Sequence, residues 1–304
     1  MGRYVVTGAA GFIGSHLAEE LLEQGNDVVG VDCFTDYYDR ALKEENARGL
    51  DVRRLDLAAG ELDFGGLDAV FHLAGQPGVR SFGDVFDLYL RRNVLASQRV
   101  FEAAARDGVR VVFASSSSVY GEPETFPTPE TEDTRPVSPY GITKLAAEHL
   151  ARAYARSFGL DVVVLRYFNA FGPRQRPDMA FTRIAFALAE GRPFDLYGDG
   201  QQSRSFTYVA DVVAATIAAL GADGGTFNVG GGTEATMLDT IAILERLAGR
   251  NLELRRHPAV PGDQRRTQAD TSRIRDDVGW EPRVGLEEGL AAQWAWAAGR
   301  VAAR

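Results

Sequence analysis

The chain has 304 residues, 45% hydrophobic and 25% charged, with a formal net charge of −9. That length gives one large domain or two closely joined ones with ample material for a core, and the acidic balance argues against nucleic acid and against an anionic membrane surface. A single cysteine, Cys33, excludes an internal disulfide and fits a reducing cytoplasm, and four scattered histidines (His16, His72, His149 and His257) show no metal-ligand spacing, so no metal is expected.

The chain opens on an apolar strand and a glycine turn, without the pattern of a signal peptide. Its apolar runs are too short, or too interrupted by charge, to cross a bilayer. "RYVVTG" (3–8) predicts a strand closed by glycine, "SHLAEELLEQG" (15–25) a helix stopped at Gly25, and "DVVGVD" (27–32) a second buried strand. "DVRRLD" (51–56) predicts a third strand ending at Asp56, "LDAVFHLAG" (67–75) a fourth and "VRVVFASSS" (109–117) a fifth. A helix over 88–108 lies between the last two, another spans 139–159, and "LDVVVLRYFN" (160–169) is a further strand. Strands alternating with helices imply a parallel sheet covered on both faces. After Asn169 the pattern loosens into helices over 180–191, 237–249 and 286–301, with "SFTYVADVVAATIAAL" (205–220) a short strand running into a helix and "GTFNVGGG" (225–232) a strand. The reading is α/β: a Rossmann-type doubly wound parallel sheet over 1–166, with returning segments near 204–228, and a smaller C-terminal α/β substrate lobe over 167–304.

The turn "TGAAGFIG" puts Gly8, Gly11 and Gly14 between a strand and a helix. Glycine lets backbone approach a pyrophosphate, and the helix start offers unpaired N–H groups. The same turn could serve only to pack helix on strand. Asp32, 18 residues past Gly14, ends the second strand, where an acid accepts ribose hydroxyls. An acid there favours NAD over NADP, and Cys33, Phe34 and Thr35 bring no arginine to reverse it. Asp56 and Leu57 fall where an adenine would lie; a solvated strand end is the other reading of Asp56.

Only Lys43 and Lys144 are lysines among 33 basic residues. Lys144 stands one helical turn after Tyr140, behind the serine cluster "SSSSVYG" (115–121). A phenol has an ordinary pKa near 10. An ammonium and an oxidised nicotinamide would lower it, so that Tyr140 takes a proton from an alcohol while hydride leaves. Ser116 would relay that proton, and a compact ammonium suits a ribose contact better than a guanidinium fork. The other reading is an ordinary helical Tyr–Lys pair beside a turn that caps itself.

With "HLAG", "LRYFNAFGPR", "DGQQSRSFTYVADVV" and "PGDQRRTQADTSRIRDDVGWEP", these stretches resemble the extended short-chain dehydrogenase/reductase superfamily over essentially the whole chain. Within it the chain is similar to the nucleotide-sugar 4-epimerases. The resemblance implies a tightly held NAD among Gly8, Gly11, Phe12, Ile13, Gly14, Asp32, Lys43, Asp56, Leu57, Leu73, Ala74, Gly75, Tyr140 and Lys144. It implies Tyr140 as base, Lys144 as its tuner and Ser116 as relay. A UDP-sugar would occupy the C-terminal lobe, with Asn169 on the sugar nucleotide, Arg204 on a phosphate, and Arg266 (or Arg265) with Asp270 at the nucleotide end. A homodimer through helices about 88–107 and 139–158 is also implied.

Related 4,6-dehydratases carry an Asp-Glu pair after the relay residue, and UDP-glucuronate decarboxylases a glutamate before "VYG". Here those positions are Ser117 and Ser118, which favours oxidation followed by simple re-reduction. "GPRQRPDMAF" (172–181) and "QPGVRS" (76–81) resemble UDP-glucuronic acid 4-epimerases. Arg176 would meet the C6 carboxylate by a bidentate fork, and Arg80 would be a further substrate-binding residue. Arg176 pairing with Asp178 is the other reading. The rivals are a UDP-glucose/UDP-galactose 4-epimerase, a decarboxylase and a non-catalytic NAD sensor on the same fold.

Overall fold

A seven-stranded parallel sheet forms the centre of the computed structural model, which describes residues 1–78, 83–232, 234–259 and 265–303. The first half supplies β1 (Arg3–Thr7), α1 (Phe12–Glu23), β2 (Asp27–Asp32), α2 (Arg40–Asn46), β3 (Val52–Arg54), β4 (Ala69–His72), α3 (Phe86–Tyr89), α4 (Ala96–Asp107), β5 (Arg110–Ser116), α5 (Pro139–Phe158) and β6 (Val162–Tyr167). The second half supplies β7 (Ala170–Phe171), α6 (Ala180–Glu190), β8 (Phe194–Tyr197), β9 (Ser203–Ser205), β10 (Thr207–Tyr208), α7 (Val209–Ala218), β11 (Gly225–Val229), β12 (Glu234–Thr236), α8 (Met237–Ala248), β13 (Leu254–His257), β14 (Arg266–Thr267), α9 (Ser272–Val278) and α10 (Leu286–Ala302).

The central sheet runs β11-β6-β5-β4-β1-β2-β3. The order reverses between β1 and β4, so the crevice at their C-terminal ends is the place where such folds take ligands. Successive residues point to opposite faces. Val6 packs with Leu17 and Leu21 of α1 and Val212 of α7 on one face, while Val5 packs with Phe101 of α4 and Ala147 of α5 on the other. A third core, built on Ile184, Leu188, Leu244 and Leu290, joins α6, α8 and α10. The chain returns to the main sheet at β11, which pairs with β6.

Two local expectations change. The third strand stops at Arg54, because Asp56 Oδ1 accepts the Ala58 N–H at 2.9 Å and bends the chain into a turn. The helix expected over 88–108 is present but widens into a π-helical turn, Leu90–Leu95, that joins α3 to α4 with helical backbone at both junctions. No helix among the described residues is long and apolar enough to cross a membrane.

Candidate active site

The glycine turn is held by backbone contacts that admit no side chain. Gly8 has φ of +75° and donates its N–H to the Val31 carbonyl at 2.7 Å. A Cβ on Gly14 would stand 2.2 Å from the Gly8 carbonyl oxygen. Gly11 caps α1 without any side-chain hydrogen bond, so the first N–H groups of the helix stay available to an anion. Asp32 receives the Ala10 N–H at 3.2 Å on Oδ2 and the Phe34 N–H at 2.7 Å on Oδ1, which leaves lone pairs for ribose hydroxyls. This cradle fits a dinucleotide.

All the positions expected around NAD line one cleft: Gly8, Gly11, Phe12, Ile13, Gly14, Asp32, Lys43, Asp56, Leu57, Leu73, Ala74, Gly75, Tyr140 and Lys144. The Lys43 ammonium donates to Thr35 Oγ1 at 2.7 Å and lies 4.7 Å above the Tyr38 ring. Asp56 is paired with Arg91 at 2.8 Å. The loop after β4 is braced from below. Thr7 Oγ1 receives the Ala74 N–H at 3.2 Å and bonds His72 Nδ1 at 2.8 Å, while His72 Nε2 reaches Ser97 Oγ at 3.0 Å. Burial pulls His72 down to about 3, so it is a neutral spacer.

Ser138 caps α5 by accepting the Gly141 N–H at 3.1 Å, and Pro139 opens the first turn. This start fixes where Tyr140 enters the cleft, with Lys144 one turn deeper. Lys144 Nζ donates to the Ala114 carbonyl at 2.8 Å and sits 5.1 Å from the Phe113 ring centre. Burial pulls its pKa to about 8, and Glu148 opposes that fall. The expected lowering of the Tyr140 phenol is not produced by the chain's own groups. Burial pushes its pKa up, outweighing Arg176 and the Ser116 hydroxyl, which pull it down. Arg176, which the sequence assigns to substrate, is a cation that also pulls on this phenol. Ser116 also caps the short turn Ser117–Val119, accepting the Ser118 N–H at 3.1 Å, so the self-capping reading holds beside its contact with Tyr140.

Asn93 escaped the sequence reading. It is buried on the π turn, where its Oδ1 accepts the Gln76 N–H at 2.6 Å and its Nδ2 donates to Thr143 Oγ1 at 3.1 Å. It therefore ties the loop after β4 to the helix carrying Tyr140. Tyr37, Tyr38 and Arg92 also line the cleft. A π turn has no short sequence signature, but the adjacent tyrosines so soon after Asp32 were a usable signal.

Among the described substrate positions, Arg176 alone lines this cleft. It faces the same space as Tyr140, and its fork grips Asp178 through two bonds of 3.0 Å, as the other reading of it expects. Asn169, Arg204 and Arg266 gather around a small sheet of order β12-β9-β14. Asn169 Nδ2 donates to Thr267 Oγ1 at 2.6 Å, Arg204 lies on β9, and Arg266 is paired with Glu234 at 2.8 Å. Asp270 accepts the Ser272 N–H at 2.9 Å, while Ser117 and Ser118 form the turn after β5. Arg80 lies outside the described residues. Among the described residues no cluster of ligands could hold a metal ion.

A dinucleotide cradle opening onto a tyrosine and a buried lysine defines an NAD-dependent oxidoreductase-like centre on a Rossmann sheet. The chain belongs to the NAD dependent epimerase/dehydratase family, whose profile matches residues 4–230. It is 40% identical over 311 residues to an uncharacterised UDP-glucose epimerase of Bacillus subtilis, covering 97% of each chain. It is 37% identical to a UDP-glucuronate 4-epimerase of Thermodesulfobacterium geofontis, over 97% of this chain and 96% of the other. The UDP-glucuronic acid 4-epimerase of Bacillus cereus, solved with UDP-glucuronic acid and NAD, superimposes with a TM-score of 0.94 at 38% identity, covering 98% of this chain and 99% of that one.

Proposed function

We propose that the protein interconverts UDP-glucuronic acid and UDP-galacturonic acid by oxidation and re-reduction at C4. It is an NAD-dependent UDP-sugar 4-epimerase, an isomerase, by its whole-length likeness to such enzymes; the sugar is the proposal. The observation that carries it is Arg176, a guanidinium fork in the lining of the cleft that also holds Tyr140. A glucuronyl carboxylate would meet that fork by bidentate hydrogen bonds.

NAD supplies the hydride acceptor and donor, and its oxidised ring brings positive charge. Gly8, Gly11 and Gly14 would hold its pyrophosphate, Asp32 its adenosine ribose, and Lys144 the ribose next to the reacting carbon. Tyr140 takes the proton from the C4 hydroxyl, with Ser116 bonded to the same oxygen, and returns it after the keto sugar turns over. The C4 ketone of a uronic acid is a β-keto acid, which loses carbon dioxide when the carboxylate bond aligns with the carbonyl π system. Arg176 and the serines Ser117 and Ser118 keep the carboxylate out of that alignment.

Residues 1–166, with the returning strand, serve NAD; the remainder serves the UDP-sugar, with Asn169, Arg204, Arg266 and Asp270 at the nucleotide. Exposed Leu90, Leu95, Ile142 and Phe158 on the α3–α4 and α5 faces support a homodimer, and a lone cysteine fits the cytoplasm. The grip of Asp178 on Arg176 favours a second reading, a UDP-glucose/UDP-galactose 4-epimerase, in which no carboxylate competes for the fork. Comparing kcat/KM for UDP-glucuronic acid and UDP-glucose in the native protein and Arg176→Ala separates the two. A loss confined to UDP-glucuronic acid supports the proposal; equal loss on both sugars overturns it.

A further inference from the structure

Tyr140 and Lys144 share one face of α5 with a third polar residue, Glu148, a further turn along. Glu148 is completely buried and has no part in the chemistry above. Its carboxylate is fully engaged. Oε1 accepts the Ser115 hydroxyl at 2.6 Å and Arg166 Nε at 3.0 Å, while Oε2 accepts Arg166 Nη2 at 2.8 Å and Arg152 Nη2 at 3.0 Å. Buried ion pairs are often replaceable by apolar residues without loss of stability, so stability is a weak reason for this one.

The end of β5 answers this helix face residue by residue. The Ala114 carbonyl takes the Lys144 ammonium, the Ser115 hydroxyl takes the Glu148 carboxylate, and Ser116 bears on the Tyr140 phenol. We infer that Glu148 is a positioning residue for Lys144: through Ser115 it fixes the turn of α5 against the end of β5, and its carboxylate supplies a negative charge one turn from the ammonium. The inference rests on the roles given above to Tyr140 and Lys144.

The other groups packed around the ammonium do not supply that charge. His72 of β4 is neutral, the π turn offers the uncharged Asn93, β5 offers only a carbonyl, and Arg166 of β6 is cationic. Burial pushes the Tyr140 phenol up, away from the charged form, and Arg152 is a second cation. Burial favours the neutral amine, and Glu148 is the group that opposes it. Without that carboxylate Lys144 should lose its proton at lower pH.

The test uses the holoenzyme and whichever of UDP-glucuronic acid and UDP-glucose it turns over, with kcat and KM followed from pH 6 to 10. Glu148→Gln should move the alkaline limb of kcat about one pH unit lower, with little change in KM, and Glu148→Asp should restore part of the shift. Ser115→Ala, which cuts only the tie between strand and carboxylate, should lower kcat several-fold across the range while NAD stays bound. A folded Glu148→Gln with the native pH profile overturns the inference. So does Ser115→Ala with native kcat, and that variant decides alone if Glu148→Gln fails to fold. Tyr140→Phe and Lys144→Met run alongside: full turnover in either sinks the base and ammonium reading itself. Loss of turnover in both, with Glu148→Gln and Ser115→Ala unaffected, sinks this inference only.

Discussion

Replacing Lys144 by methionine isolates the energetic cost of the buried ammonium. Its pKa falls from an ordinary 10.5 to about 8 because burial disfavours the charged form, with Glu148 opposing. At about 1.36 kcal/mol per pH unit, that fall means that holding the charge costs the native state about 3 kcal/mol. Lys144→Met removes the cost but leaves the Ala114 carbonyl unpaired, a penalty of about 1–3 kcal/mol. The two nearly cancel at neutral pH, so native and variant proteins should be comparably stable there. Above pH 8 they separate. Between about 8 and 10.5 the folded protein has released a proton that the unfolded chain still binds, so this group makes native stability rise with pH. From pH 7 to pH 10 the native protein should gain about 2–3 kcal/mol over the variant. Urea unfolding followed by tryptophan fluorescence at pH 7, 8, 9 and 10 measures the difference, with both proteins matched for bound NAD. The other groups titrating in alkali are common to both and cancel. Parallel stability curves would mean that the ammonium is not desolvated, and the reasoning would be wrong.

Tyr140→Phe should lower kcat by about 10²–10⁴-fold while NAD remains bound; release of NAD would make the tyrosine structural. Arg176→Ala should raise KM for UDP-glucuronic acid by roughly 10–100-fold, the worth of a charge-assisted fork. It should also release a UDP-pentose, detectable by mass spectrometry, and product purity equal to the native protein's would refute the restraint on the carboxylate. Gly14→Ala sets a Cβ 2.2 Å from the Gly8 carbonyl oxygen, backbone against side chain with no rotamer to relieve it, so NAD content after purification should drop sharply. Leu90→Glu with Leu95→Glu should turn a dimer into a monomer on size-exclusion chromatography with light scattering; an unchanged mass would exclude that face.

The NAD cradle was legible because its chemistry is local. Glycines 8, 11 and 14, Asp32, and the Ser138-Pro139 start of α5 are short-range patterns whose physics does not depend on distant residues. The long strands and helices were legible for the same reason: runs such as "VVVL" and caps such as Gly159 are complete within their own segments. Asn93 was not legible, because its partners Gln76 and Thr143 lie 17 and 50 residues away and the π turn that aims it has no motif. The three-stranded sheet of β9, β12 and β14 was missed because its strands are two or three residues long, too short to show alternation. Arg176 was partly legible. Its loop and its pairing with Asp178 could be picked out, but not that it would also pull on the Tyr140 phenol. Burial of Tyr140, which pushes its phenol up against the pull of Arg176 and Ser116, is likewise not revealed by sequence spacing.

The most direct measurement is a separation of products after the purified protein is incubated with UDP-glucuronic acid, and in parallel with UDP-glucose, without added reductant. UDP-galacturonic acid from the first and almost nothing from the second is the predicted result. UDP-galactose from the second alone would contradict the account and leave Arg176 as the partner of Asp178.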